Sequence, residues 1–305
     1  MTPPLPPDAS ARAGVTFGVY PAPIRPPFED LVDRARRAET MGFDTIWAPD
    51  QTPMAFPKTI TYESWTLLAS LARETSRVRL GTLVTQVALR HPLLLAMAVS
   101  NVDHASDGRV VLGMGVGGAE ADLAGVGLED LGSRELVARL EASVAAIDAL
   151  LRGETVTVGD GQFRMRDAVV EPPIQRPRPS MVIAAHGPRT LAIAARHADV
   201  WSTLGGQPLD GDRLTTEEAV AKTRGYIDTL EAACAAAGRD PTSLRRSAFA
   251  WRANAFASVD AFTDWFGRYR DLGFTDFVFW WPSAPDRAAV FERVATEVLP
   301  GLRTA

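Results

Sequence analysis

A single (β/α)8 barrel is the fold this sequence predicts, and three observations predict it. Short apolar runs rich in β-branched residues alternate with amphipathic helical stretches, most compactly over 181–203, where almost no sequence connects them. The strand–helix pair recurs eight times, more often than a doubly wound open sheet usually needs. The 305 residues suit one large domain or two medium ones, and no second domain boundary is visible.

The elements follow in order. Residues 15–20 (VTFGVY) read as the first strand, and a Pro-rich loop leads to a helix over 28–41 that stops at Gly42, a C-terminal cap signal. Thr45-Ile46-Trp47-Ala48 is a strand ending at Pro49-Asp50-Gln51. A helix over 63–73, a strand over 78–85 (VRLGTLVT), a helix opening at His91-Pro92 and a strand over 109–113 complete four units. That last strand runs into the glycines of MGVGG. A helix over 134–151 follows. Residues 154–171 alternate Val156, Val158, Phe163 and Met165 around Gly159-Asp160-Gly161, which predicts a hairpin in an insertion over about 153–180. After the Pro-rich PPIQRPRP come a strand over 181–185, a helix from Arg189, a strand over 199–202 and a long helix over 216–237. Strands over 244–252 and 276–281 enclose a helix over 259–272, and a helix over 286–299 closes the chain.

Composition narrows the function. Hydrophobic residues make up 46% and charged residues 23%, an ordinary soluble globular balance. A net charge of -5 with no basic run argues against a nucleic-acid surface. No apolar run approaches membrane-spanning length, and residues 1–13 read as a disordered leader rather than a signal peptide, so a cytoplasmic protein is expected, with the folded domain over 14–305. The single Cys234 excludes an internal disulfide and a cysteine-based metal site, and no metal site is expected elsewhere.

The stretch Met181–Thr203 is the most informative. A buried strand, a Gly187-Pro188 break, a short helix and a second strand form a strand–helix–strand unit, so its strands should be parallel neighbours. Pro suits the first turn of a helix, where its missing N–H costs nothing. Free N–H groups there, beside Arg189 and a glycine that admits a ligand, make a natural anion site. The alternative is that Arg189 is only a solvated surface charge.

A barrel places its functional groups where strands end and loops begin. That selects Tyr20, Asp50, Gln51, residues 82–86 and 115–118, Ala185 to Gly187, Ser202, Arg252 and Trp281. The set is poor in acids and bases: only His186 and Asp50 ionise at strong strand-end positions. His91 sits before Pro92 at a helix start, and His104 and His197 read as structural. Glycine, small residues and backbone suit a flat aromatic cofactor that carries the hard chemistry itself.

GFDTIWAPD, RVRLGTLVTQVALRHP, DGRVVLGMGVGG, EPPIQRPRP and MVIAAHGPRTLAIAARHADVW, in that order, resemble the bacterial luciferase-like monooxygenase superfamily, and most of all its branch using the deazaflavin coenzyme F420. The resemblance is strong over residues 15–203 and weak beyond. It implies a TIM barrel with an insertion before the fifth strand. It also implies that Asp50 contacts the deazaflavin or its ribityl chain. Thr82, Leu83, Val84 and Thr85 would form a bulge behind the ring, where the family often has a non-prolyl cis peptide, with Thr85 donating to the ring. Val116 and Gly117 would line the ribityl chain, and the turn of Ala185, His186, Gly187 and Arg189 would bind phosphate. Members of the branch often carry His after the Asp, where Gln51 stands here, and a glutamate after the glycines, where Gly118-Ala119 precedes Glu120. The FMN-binding branch often has an arginine where Val116 stands.

The expected function is therefore hydride transfer between F420 and a small, partly apolar substrate walled by Tyr20, Phe56, Trp251, Trp280 and Trp281. Gln51 and His186 are the candidate catalytic groups. Gln51 can hold a substrate oxygen but has no useful pKa, whereas an unperturbed His186 would titrate at about 6.5 or else serve only as a cofactor contact. The alternatives are an FMN-dependent monooxygenase with a flavin reductase as supplier, and a non-catalytic cofactor carrier. A homodimer is expected.

Overall fold

The computed structural model describes residues 14–21, 27–54, 62–117, 120–128, 131–159 and 161–303. The expected leader over 1–13, together with Phe56, Gly118, Ala119 and Asp160, lies outside them. The first four units are β1 (Thr16–Tyr20), α1 (Phe28–Thr40), β2 (Thr45–Ala48), α2 (Ser64–Glu74), β3 (Arg79–Gln86), α3 (Pro92–Ser106), β4 (Val110–Gly115), a short α4 (Glu120–Gly125) and α5 (Ser133–Leu151). The inserted hairpin is β5 (Val156–Val158) and β6 (Met165–Ala168). Then follow β7 (Ser180–Ala184), α6 (Pro188–His197), β8 (Val200–Thr203), α7 (Thr216–Ala236), β9 (Arg245–Phe249), α8 (Val259–Asp271), β10 (Asp276–Trp280), α9 (Pro285–Arg293) and α10 (Leu299–Leu302).

Eight strands close into a barrel in the order β1-β10-β9-β8-β7-β4-β3-β2, and β5 and β6 form a separate antiparallel pair. The order makes β7 and β8 neighbours, as the short connection through α6 requires. No helix among the described residues is long and apolar enough to cross a membrane. Two features depart from expectation. The helix α4 was not foreseen. The last helix is interrupted because Pro300 has no N–H to donate, and ahead of it the Leu299 N–H reaches back to the Val294 carbonyl, widening that turn.

The chain packs as two compact units: residues 48–182, and residues 13–47 with 183–305. In the first, Leu68, Leu71, Leu80, Val99, Leu140, Val144, Ile147 and Leu150 are fully buried. Arg109 threads its guanidinium among the carbonyls of Ala72, Thr75, Val78 and Ser106 at 2.6–3.0 Å. The Pro-rich return from the hairpin is pinned the same way. Gln175 donates its backbone N–H and its amide to the buried Asp103 carboxylate at 3.0 and 2.7 Å, and its amide also donates to the Val110 carbonyl at 2.9 Å. His91 accepts the Leu93 N–H at 3.3 Å and so caps α3 with its ring.

In the second unit the core is aromatic. Phe17, Phe262, Phe277 and Phe279 are fully buried, with the Phe17 ring 6.0 Å from Phe277 and 6.4 Å from Phe279. Burying such rings drives folding by apolar area plus edge and offset ring contacts. Gly18 faces the Trp47 indole so closely that a Cβ would lie 2.3 Å from its ring nitrogen, so only glycine fits there.

Candidate functional site

The end of β3 departs from regular pairing where it lies against an alternating set of glycines on β4 and just after it. Register between the two strands shifts between Thr82 and Thr85. A Cβ at Gly113 would lie 1.9 Å from the Thr82 carbonyl oxygen, one at Gly115 would lie 2.6 Å from Val84 Cγ2, and one at Gly117 would lie 2.5 Å from Gln86 Oε1. Gly117 also has φ +71, the left-handed region glycine enters freely. The run Gly113-x-Gly115-x-Gly117 therefore serves the close approach of β3 as well as any ligand. The Leu83–Val84 peptide is cis, at the place the sequence motif pointed to.

Side-chain hydrogen bonds fix this bulge. Thr82 Oγ1 donates to the Gly113 carbonyl at 2.9 Å, so in its 2.8 Å contact with Thr85 it must accept, and Thr85 accepts in turn from Trp65 Nε1 at 3.2 Å. The relay Trp65–Thr85–Thr82–Gly113 uses both protons, and both threonines are fully buried. In this arrangement the Thr85 hydroxyl proton is directed at Thr82. Leu83 and Val84, between the two buried pegs, keep part of their surface exposed, as does Val116, and Gly117 is open. The strand end thus offers a firm, largely apolar seat.

Beside it, Asp50 anchors a polar network. Its Oδ1 accepts from Ser64 Oγ at 2.9 Å and from Arg90 Nη2, and its Oδ2 accepts from the Gln86 N–H at 3.1 Å and Arg90 Nε at 2.8 Å. Even the Asp50 carbonyl is taken, by Gln86 Nε2 at 2.6 Å. The carboxylate expected on the cofactor is thus well supplied with partners inside the protein, and Asp50 tethers the β2 end to the β3 end. Arg90 also pairs with Glu63 at 2.6 Å. Burial works against the Arg90 charge, but the two carboxylates outweigh it and hold the guanidinium more firmly protonated. For Glu63, burial alone would raise the pKa. The Thr66 N–H and Arg90 outweigh it and bring the carboxyl below its ordinary value. Gln86 Nε2 further donates to Asp122 at 2.8 Å, and Asp122 accepts from the Thr52 N–H at 3.1 Å and from its hydroxyl. Between the tethered Asp50 and Thr52, the Gln51 side chain is half-buried and makes no hydrogen bond to another described residue. Arg90, Asp122 and Trp65 were missed in the sequence, and Gln86 was selected there only as a strand-end position. The available signal was polar Gln86 and Arg90 within the otherwise apolar VTQVALR.

In the other unit, α6 begins at Gly187 with Pro188 in its first turn and no side-chain cap on its leading N–H groups. Thr190 Oγ1 instead accepts the Gly187 N–H at 3.2 Å and donates to the Gly187 carbonyl at 2.9 Å. Arg189 is exposed. Ala185 is locked by its carbonyl, which accepts from Trp201 Nε1 at 2.9 Å. His186 Nε2 accepts the Leu204 N–H at 3.3 Å, and its ring lies 5.4 Å from Tyr226. Burial, helped by the charge of Lys222, lowers the His186 pKa to about 4. At neutral pH the imidazole is uncharged with its proton on Nδ1, so the pKa near 6.5 expected for acid–base work is not what this site provides.

The expected aromatic wall divides. Tyr20 is fully buried, 4.3 Å from Trp280 and 5.1 Å from Phe249, and burial raises its pKa well above the ordinary tyrosine value. It therefore supports the wall from within and does not face a ligand. Trp280 is half-exposed and, with the mostly buried Trp281, lines a cleft of about 290 Å³. Trp251 packs 6.3 Å from Trp280, and its Nε1 is buried with no hydrogen-bond partner among the described residues, as is the Thr203 hydroxyl at the end of β8.

With this geometry in place, comparison identifies relatives. A family model for luciferase-like monooxygenases matches residues 9–271. A phthiodiolone/phenolphthiodiolone dimycocerosates ketoreductase of Mycobacterium tuberculosis (strain ATCC 25618 / H37Rv) is 31% identical over 265 residues, 77% of this chain, which spans only 64% of that enzyme's length. An F420-dependent glucose-6-phosphate dehydrogenase of Beutenbergia cavernae is 30% identical over 90% of this chain and 93% of its own. Among solved structures, an F420-dependent secondary alcohol dehydrogenase in complex with an F420–acetone adduct superimposes with a TM-score of 0.81 at 17% identity, over 95% of this chain and 100% of that one. The F420-dependent tetrahydromethanopterin reductase of Methanopyrus kandleri gives 0.75 at 19% identity, over 95% and 100%.

Proposed function

The chain belongs to the luciferase-like monooxygenase family, and on that premise we propose that it is an F420-dependent oxidoreductase acting on a small, partly apolar organic substrate. The observation that carries the reading is the seat at the β3 end. Leu83 and Val84 present partly exposed apolar surface between two buried threonines whose hydroxyl protons are both used within the protein. A deazaflavin ring is flat and apolar enough to suit it. The buried Trp251 Nε1 and Thr203 Oγ1, without a partner among the described residues, are donors of the kind a polar ligand satisfies. The family relatives named for F420 support the choice of cofactor.

When bound, the deazaflavin supplies or accepts a hydride; the rest is done by the chain. Val116 and Gly117 would line the ribityl chain, and the first-turn N–H groups of α6, with Arg189, would hold the phosphate. Gln51, with its flanking residues tethered to Gln86, Arg90 and Asp122, would donate an amide hydrogen bond to the substrate oxygen and orient it. It exchanges no proton near neutral pH. His186, uncharged there, serves as a hydrogen-bond acceptor for the Leu204 N–H and holds the phosphate turn in place. Protons would therefore come from water at the open mouth rather than from a titrating side chain.

A charge-assisted phosphate contact is worth about 1.5–3 kcal/mol. Arg189→Ala should weaken F420 binding roughly ten- to a hundredfold, read by titrating the cofactor's fluorescence, with unchanged thermal stability since Arg189 is exposed. An unchanged dissociation constant would remove Arg189 from the site.

A further inference from the structure

The cleft of about 290 Å³ in the second unit combines two features. Its wall is aromatic: Phe256, Trp280 and Trp281. Its rim carries two guanidinium groups, Arg252 and Arg287, from different segments. Arg252 follows β9 with φ +52, a left-handed conformation that a non-glycine residue occupies at a cost. One Arg252 nitrogen, Nη2, donates to the Gly211 carbonyl at 2.9 Å, which fixes the side chain and leaves its other N–H groups available.

Arg287 sits in the first turn of α9, where the helix dipole disfavours a cation. It is exposed and engages no described carboxylate. The α9 N-cap is Ala284, which contributes no side-chain cap, so the leading N–H groups of a helix beginning at the cleft edge also remain open. Asp286 lies in the same turn but does not line the cleft. Positive charge, free helix N–H groups and aromatic surface thus converge on one concavity at the C-terminal ends of β9 and β10.

We infer that this cleft takes an anionic substrate with a flat apolar body, its acid group, a carboxylate or a phosphate monoester, held by Arg287, Arg252 and the N-terminus of α9. The inference deepens the proposed function by naming the substrate's class, and it rests on that reading only in calling the ligand a substrate. Guanidinium groups match carboxylate and phosphate oxygens with paired donors, and an aromatic wall favours a planar group over a branched one.

The test uses the full chain without cofactor and follows tryptophan emission. It is titrated with 3-phenylpropanoate, with its neutral isostere 3-phenylpropanamide, and with phenyl phosphate. At least one anion should saturate with a dissociation constant about tenfold or more below that of the amide, and the difference should shrink as salt is raised. The tighter anion identifies the acid group. Arg287→Gln should abolish most of that preference, and Arg252→Gln, which keeps the same backbone demand, should reduce it independently. Equal affinity for anion and amide, absence of saturation, or full preference retained in both variants would overturn the inference. F420 fluorescence titrated into the same preparation separates the two claims. Cofactor binding without anion preference rejects only the cleft, and anion preference without cofactor binding rejects only the oxidoreductase reading.

Discussion

His186 shows how far a residue's surroundings change its chemistry. Read in the sequence, it is a histidine at a strand end and a natural proton carrier; in the fold its burial and Lys222 bring its pKa to about 4. The pKa is lower folded than unfolded, so the neutral imidazole stabilises the fold fully above the unfolded value of about 6.5. That contribution is lost as pH falls toward 4, because the unfolded chain takes up the proton first. The loss over this window should approach about 3 kcal/mol in chemical denaturation. His186→Gln should flatten the same window, and an identical acid profile in both proteins would show that His186 is not responsible. Asp50 carries a parallel lesson. The motif marks the residue, but only packing reveals that Ser64, Gln86 and Arg90 absorb its carboxylate.

At the scale of elements, the glycines of β4 are specific parts of the design. Gly113→Ala would drive a methyl group into the Thr82 carbonyl, backbone against backbone, and should destabilise the protein by about 3 kcal/mol or more or prevent folding. Gly225, within α7, faces open space, and Gly225→Ala should raise stability by about 0.5–1 kcal/mol through helix propensity alone. Melting temperatures moving in the same direction for both variants would contradict this account of the bulge. The elements themselves were largely legible, because apolar runs of period two and helical stripes are local signals. The strand over 79–86, the hairpin over 156–168 and the α6 unit stand within a residue or two of where the sequence places them. What was not legible is long-range. The relay from Trp65 to Gly113 and the links among Asp50, Gln86 and Asp122 join residues far apart in the chain, and no local pattern announces them. The PPIQRPRP motif was readable as a family mark, whereas its work, seating Gln175 on the buried Asp103, was not.

At the scale of the whole molecule, the eight-stranded closed barrel follows from the count of strand–helix units, and the family follows from motifs in their order. The site is less determined by either, since the same barrel serves many chemistries through its loops. Here the chain has a partly exposed apolar strand end, a glutamine between two tethered neighbours, a helix start without a side-chain cap beside Arg189 and an uncharged histidine, with no side chain poised to exchange protons at pH 7 among them. On the proposed reading the redox step falls to a bound deazaflavin, as the relatives named for F420 suggest. The most direct measurement is a side-by-side equilibrium titration of the purified full chain with F420 and with FMN, each followed by its own fluorescence. The account predicts saturable one-to-one binding of F420 at micromolar concentration or below, weakened by Arg189→Ala, and FMN binding weaker by tenfold or more, on the order of 1.4 kcal/mol. Tighter binding of FMN, or no binding of F420, would contradict it.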